Sequence, residues 1–308
     1  MTSSTALDGS TPVEVQDLRK TYGHVVAVDG VDLTVETGDV YGYLGPNGAG
    51  KTTTLRMVLG LIRRDGGEVR LFGRDPAQGP AALAGVAGFV ESPTFYPYLS
   101  GRENLALLGT LDGGASAPWI DECLDRVGLL DRARDRVGGY SLGMRQRLGI
   151  AASLMRKPAL LVLDEPANGL DPAGIRDMRR LISELPEQGV TVLYSSHLLA
   201  EVEDVCNRVA ILNAGRVAFE GGLDELRASF GETTRIVTPD VARTAEIAAA
   251  IGITTAKVEG DAVWIDATTR RVDALTLALG SAGIPIRTLS HERRSLEDLF
   301  FQLTEDAP

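Results

Sequence analysis

The stretch GPNGAGKTT, Gly45 to Thr53, sets three glycines beside a lysine and two threonines. It fits the pattern G-x-x-x-x-G-K-[ST], follows a run of strand character and precedes a helical one, which is the context in which that pattern cradles phosphate. Glycine lets successive backbone N–H groups converge on phosphate oxygens, and the helix N-terminus adds positive potential. The candidate cradle is therefore Gly45, Pro46, Asn47, Gly48, Ala49, Gly50, Lys51, Thr52 and Thr53. Lys51 should reach the β- and γ-phosphates, and the Thr52 hydroxyl should bind Mg²⁺. The alternative is a glycine-rich turn with no ligand.

A second group lies in LLVLDEPANGLD, Leu160 to Asp171. Four apolar residues run into Asp164 and Glu165, so a strand end would place one carboxylate beside the cradle and its Mg²⁺. Glu165, the next residue, can face a γ-phosphate and polarise a water as general base. Taken alone, the pair also reads as a helix cap or an acidic surface; the cradle upstream selects the catalytic reading. A third feature is YSLGMRQRLGIA, Tyr140 to Ala151. Ser141 is a good N-cap, because its hydroxyl can accept from an unpaired N–H of the first turn. Gly143 weakens helix propensity there. The stretch is either a helix that caps itself or a helix start that holds a ligand.

These residues need elements to hold them. VEVQDL, VVAV, GVDLTV and DVYGYLG read as short β-rich runs split by turns, with Val31, Leu33 and Val35 alternating with Asp32 and Thr34 as in a half-buried antiparallel strand. KTTTLRMVLGLI is helical, GEVRLFG and AGVAGFVE are strands, and the pattern from about 95 to 157 is helical. ALLVLDEP and GVTVLYSSH are continuous apolar runs of strand length, typical of buried parallel strands. DPAGIRDMRRLISEL is a helix with Asp171 as N-cap and Pro172 in its first turn, and VAILNAGRVAFEG is a hairpin. Alternating strands and helices imply an α/β core. Composition shifts after about Phe230, and the order that follows, β-α-β-β-α-β, matches a split-βαβ, ferredoxin-like unit. SLEDLFFQLT reads as a closing amphipathic helix. The expected division is a disordered tail over 1–12, a nucleotide-binding domain over 13–230 with its helical subdomain, and a C-terminal α+β domain over 231–308.

Composition narrows the function. A chain of 308 residues holds about two domains, and a net charge of −11 disfavours a generic nucleic-acid binder, which needs a basic face. Cys123 and Cys206, in no metal spacing, suit small buried hydrophobes and a reducing compartment. The opening MTSSTALDGSTP lacks a basic region and an apolar core, so it is not a signal peptide, and no apolar run has the length of a membrane span.

With its motifs in order, the chain resembles the ATP-binding subunit of an ATP-binding-cassette transporter: GPNGAGKTT (Walker A), YSLGM (signature), LLVLDEP (Walker B), NGLD (D-loop) and SSH (switch histidine). The resemblance covers about 13 to 227. It implies a P-loop ATPase core with an antiparallel β subdomain and a helical subdomain, ATP and Mg²⁺ as ligands, and a homodimer that sandwiches two ATP molecules. It also implies a separate membrane permease and a place on the inner face of the cell membrane. By the resemblance Tyr22 stacks on adenine, although a half-buried strand-end tyrosine is the alternative. His197 hydrogen-bonds the γ-phosphate. Ser141, Gly143 and Met144 meet the partner's nucleotide, and Asp171 contacts the opposite subunit. Glu91 stands where most members have glutamine and would bind Mg²⁺ or the attacking water; bacitracin and lantibiotic exporters share this glutamate. The signature reads Ser-Leu-Gly-Met where Ser-Gly-Gly-Gln is common. PTFYPYL, Pro93 to Leu99, either receives a permease helix or forms a small core. The branch resembled exports drugs and antibiotics. The rival reading, a cassette ATPase acting on DNA or ribosomes, lacks the coiled coils or second cassette that such proteins carry.

Overall fold

The computed structural model describes residues 11–229, 232–293, 300 and 303. The expected tail lies outside them apart from Thr11 and Pro12, as does the expected closing helix apart from Phe300 and Leu303. The described residues divide into two compact units, one running to Gly222 and including Leu303, the other running from Leu223 to Phe300.

In the larger unit the chain opens with β1 (Val13–Tyr22) and β2 (Val25–Val35), which pair antiparallel. VVAV and GVDLTV, expected as separate runs, form one strand. Gly30 joins them at φ 73°, and the register shifts there from Leu18 opposite Val31 to Arg19 opposite Asp29. A bulge of this kind absorbs one residue without ending the strand. The expected alternation holds, with Val31, Leu33 and Val35 buried. β3 (Val40–Leu44) is wholly buried and leads through the glycine loop into α1 (Lys51–Val58). Helix α1 stops short of the LGLI expected to continue it. Gly60 turns left-handed at φ 67°, and the N–H of Leu61 caps the Arg56 carbonyl at 2.8 Å.

Next come β4 (Gly66–Leu71), β5 (Val86–Phe89), α2 (Gly101–Leu111), α3 (Ala117–Arg126) and α4 (Leu142–Leu154). A reciprocal Ser100–Glu103 capping box starts α2. Beyond these are β6 (Leu160–Asp164), α5 (Pro172–Ser183), β7 (Thr191–Ser196), α6 (Leu199–Glu203), β8 (Arg208–Asn213) and β9 (Arg216–Gly222). One sheet runs β2-β1-β4 and is antiparallel. The other runs β5-β6-β7-β3-β8-β9, parallel except for β9. Buried side chains of both sheets, including Val13, Val31, Tyr43 and Leu193, enclose Leu55, Met57 and Val58 of α1 in one core. That packing fixes α1, and with it the loop at its N-terminus.

The smaller unit begins with α7 (Leu223–Ser229). It continues through β10 (Glu232–Val237), α8 (Val241–Ala250), β11 (Thr254–Glu259), β12 (Ala262–Asp266), α9 (Thr269–Ser281) and β13 (Thr288–Arg293). Its sheet is antiparallel in the order β11-β12-β10-β13. Ile236, Val263 and Ile265 pack against Ala248 of α8 and Val272, Leu275 and Leu279 of α9.

Candidate functional site

Parallel strands release their following loops at one edge of the sheet. Here Gly45 follows β3, Glu91 follows β5, Glu165 follows β6 and His197 follows β7. The strand order thus gathers residues that are far apart in the chain.

The cradle is shaped by close backbone approach. Gly50 caps α1 at φ 106°, and a Cβ there would lie 2.3 Å from the Ala27 carbonyl oxygen. A Cβ on Gly45 would lie 2.5 Å from the Leu212 carbonyl oxygen. Gly48 is also left-handed, at φ 83°. The N–H groups of Gly48, Gly50, Lys51 and Thr52 have no protein acceptor among the described residues, whereas that of Ala49 bonds Pro46. Unpaired donors at a helix start are suited to an anion. Thr53 is partly exposed on the first turn.

Lys51 is 5% exposed. Its ammonium donates to the carbonyls of Gly45 at 2.8 Å and Pro46 at 3.2 Å, and pairs with Glu165 Oε1 at 3.2 Å. The charge is thus held at the loop mouth by acceptors that a phosphate can replace. Thr52 donates to Asp164 Oδ2 at 2.9 Å, which brings a hydroxyl and a carboxylate together at the sheet edge. Oxygen donors of this kind suit a hard divalent cation, so the two residues fit the Mg²⁺ expected of them.

Glu165 has φ 48° and Glu91 φ 70°, so both cleft glutamates stand on left-handed backbone. Non-glycine residues adopt it at a cost, and such strained residues cluster at functional sites. The Glu165 N–H donates to the carbonyl and the hydroxyl of Ser195, at 3.2 and 3.0 Å. Its carboxylate lies between two cations or potential cations, with Oε1 on Lys51 and Oε2 2.5 Å from His197 Nδ1. The Glu91 carboxylate is paired with Arg56 of α1. It is therefore not turned onto Thr52 or Asp164, although Glu91 lines the same cleft. That cleft, of about 280 Å³, is bounded by Asn47, Thr52, Glu91, Ser92, Gln146, Asp164, Glu165 and Asn168.

The structure does not bring every expected residue to this cleft. Tyr22 is 47% exposed at the end of β1, with Lys20 Nζ 5.3 Å from its ring centre. Ser141 caps α4 by accepting from the Met144 N–H at 3.2 Å, and Asp171 caps α5 by accepting from Gly174 at 2.9 Å. None of Tyr22, Ser141, Gly143, Met144 and Asp171 lines the cleft. The unusual Leu142 has a local explanation. It packs on Gly169, where a Cβ would sit 3.0 Å from Leu142 Cδ2, while Leu170 packs on Gly143. The first turn of α4 and the loop before α5 are braced against each other within one subunit.

Ser195, Gln146, Asn168 and Arg56 carry weight in the geometry without having been singled out by sequence. Ser195 is fully buried, and its hydroxyl donates to Asp164 while accepting from the Glu165 N–H. In a sequence it is a small residue of a buried strand; only its place before His197 hinted at more.

The family model described as "ABC transporter" matches residues 28–168. The bacitracin transport ATP-binding protein BcrA of Bacillus licheniformis is 45% identical over 220 residues, 71% of this chain and 72% of that protein. The daunorubicin/doxorubicin resistance ATP-binding protein DrrA of Streptomyces peucetius is 38% identical over 307 residues, 95% of this chain and 92% of that protein. Among solved structures, an ATP-binding cassette determined as a dimer in a post-hydrolysis state with ADP and Pi superposes with a TM-score of 0.62. It is 26% identical and covers 68% of this chain and 98% of that one. The candidate phosphate cradle meets a paired aspartate and glutamate at one edge of a cassette fold, with a histidine against the glutamate. The chain therefore belongs to the ATP-binding subunits of ABC transporters and is an ATPase.

Proposed function

We propose that this ATPase powers export of an antibiotic, peptide or lipid-like molecule through a separate membrane permease, working as a homodimer on the inner face of the membrane. The observation that carries the catalytic part is the placement of Glu165 between Lys51 and His197, beside Asp164 and Thr52. Lys51 leaves the Gly45 and Pro46 carbonyls for the β- and γ-phosphates, which frees Glu165 to accept a proton from the attacking water. His197 holds the Glu165 carboxylate in position and supplies a donor toward the γ-phosphate. Mg²⁺, held by Thr52 and Asp164, would neutralise charge on the phosphate oxygens. Tyr22, exposed at the end of β1, offers a face for adenine.

Ser141, Gly143, Met144 and Asp171 stand away from their own cleft, so they are available to a second copy. In the dimer they would close on the partner's nucleotide, and ATP would shift the population from open to closed. The relatives named for bacitracin and for daunorubicin and doxorubicin support a cargo of that amphipathic kind. The likeness to the daunorubicin relative spans the smaller unit as well. Its antiparallel order β11-β12-β10-β13 with both helices on one face supports a ferredoxin-like accessory domain. We take the domains as a nucleotide-binding part over 13–230 and this accessory part over 231–308, although the compact units themselves divide earlier, between Gly222 and Leu223. Among the described residues no helix is long and apolar enough to cross a membrane, which leaves the span to the permease. The test is Glu165→Gln. It should bind ATP and accumulate as a dimer in size-exclusion chromatography; a variant that stays monomeric in saturating ATP contradicts the proposal.

A further inference from the structure

Gln146 lies on α4 just beyond Met144 and is 3% exposed. Its Oε1 is buried and has no hydrogen-bond partner. The side chain lines the cleft together with Thr52, Asp164, Glu165, Glu91 and Asn168. A buried carbonyl oxygen without a donor is destabilising, and an apolar side chain of the same length would fill the space without that penalty. The neighbours do not relieve it. Asp164, Glu165 and Glu91 are acceptors when ionised, and the Thr52 hydroxyl is committed to Asp164. Asn47, Ser92 and Asn168 also line the cleft and carry donors, but none of them is bonded to this oxygen. Water, with two O–H groups, is the donor that a cleft crowded with carboxylates accommodates.

We propose that Gln146 is a positioning residue for hydrolysis, its Oε1 accepting a hydrogen bond from a water that becomes ordered between the Thr52–Asp164 pair and Glu165 once nucleotide and Mg²⁺ fill the cleft. This rests on the cleft being the ATPase site. The neutral amide matters more here because Glu91, where glutamine is common, is drawn to Arg56. The amide then enters the cleft from α4 rather than from the loop after β5.

The test uses the full chain with Gln146→Met and, as a second shape, Gln146→Leu. Without nucleotide, both should melt no lower than the parent, and up to about 2–4 °C higher, since an unpaired polar atom is removed. In a Glu165→Gln background, calorimetry should give unchanged ATP affinity without Mg²⁺. The gain in affinity on adding Mg²⁺ should shrink about threefold to tenfold, the range for one neutral hydrogen bond. In the active background kcat should fall by a similar factor, about threefold to tenfold, with KM little changed. Three results overturn the proposal: a kcat within about twofold of the parent, equal losses of ATP affinity with and without Mg²⁺, or failure of both variants to fold, because an unpaired oxygen has no bond to lose. If the parent chain hydrolyses no ATP, the reading of the cleft itself fails; an active parent beside a fully active Gln146→Met overturns only the role of Gln146.

Discussion

Ser195→Ala tests whether the sheet edge holds the Asp164 and Glu165 carboxylates through one hydroxyl. The substitution removes the donor to Asp164 Oδ1 and leaves Thr52 on Oδ2 at 2.9 Å. The Glu165 N–H loses the hydroxyl but keeps the Ser195 carbonyl at 3.2 Å, so it is not orphaned. One hydrogen bond to a buried carboxylate is lost, worth about 1.5–3 kcal/mol. Loss of a single oxygen atom leaves little void. With roughly 2–4 °C of melting temperature per kcal/mol for a domain of this size, a loss of about 2 kcal/mol lowers the transition by about 4–8 °C. Lys51 makes no contact with Ser195, so ATP affinity without Mg²⁺ should stay within about twofold. kcat should fall by about tenfold, because Asp164 is free to turn. Calorimetric unfolding and steady-state ATPase kinetics measure both. A variant within about 0.5 kcal/mol of the parent that keeps full kcat refutes the reasoning.

Other outcomes follow from named contacts. Ser141→Arg should yield a folded monomer that binds ATP yet hydrolyses it poorly, and full turnover would return that segment to a simple helix cap. Gly169→Ala places a Cβ at φ 74° and 3.0 Å from Leu142, so the urea midpoint should drop by the equivalent of about 1–2 kcal/mol; an unchanged midpoint removes the proposed brace. Arg64 forms a two-point pair with Asp75, and this hydrogen bonding, above all, lowers the Asp75 carboxyl from its ordinary value of 3.8. A lowered folded value means that the stabilisation is complete above the ordinary value and fades as pH falls through the lowered one. Asp75→Asn should therefore be less stable than the parent at neutral pH and converge with it in acid; parallel stability curves would show that the pair contributes nothing.

Much of the site was legible because its chemistry is contiguous. Gly45 to Thr53 carries its own geometry, since a strand, a glycine turn and a helix start are local properties. Asp164 and Glu165 were legible for the same reason, at the end of an uninterrupted apolar run. The bulge at Gly30 was not, because it depends on register against β1 rather than on the glycine alone. Nor was the end of α1 at Val58, where apolar residues continue but Gly60 reverses the backbone. Glu91 was legible as a departure in type, yet its pairing with Arg56 depends on where α1 packs. Ser195 was marked only by its place before His197, and Gln146 only by its place two residues beyond Met144. Each matters only through atoms brought to it from other strands.

The sequence by itself determined the class of chemistry, through a phosphate cradle, a carboxylate pair and a histidine, and it determined the order of strands and helices around them. Tertiary structure alone decided that β7 lies between β6 and β3. That order sets Ser195 against Asp164 and Glu165, and His197 against Glu165 Oε2, the oxygen that Lys51 does not pair with. The physical reason is the parallel sheet. Hydrogen bonding between distant strands chooses the neighbours, and neither local propensity nor hydrophobic period encodes that choice.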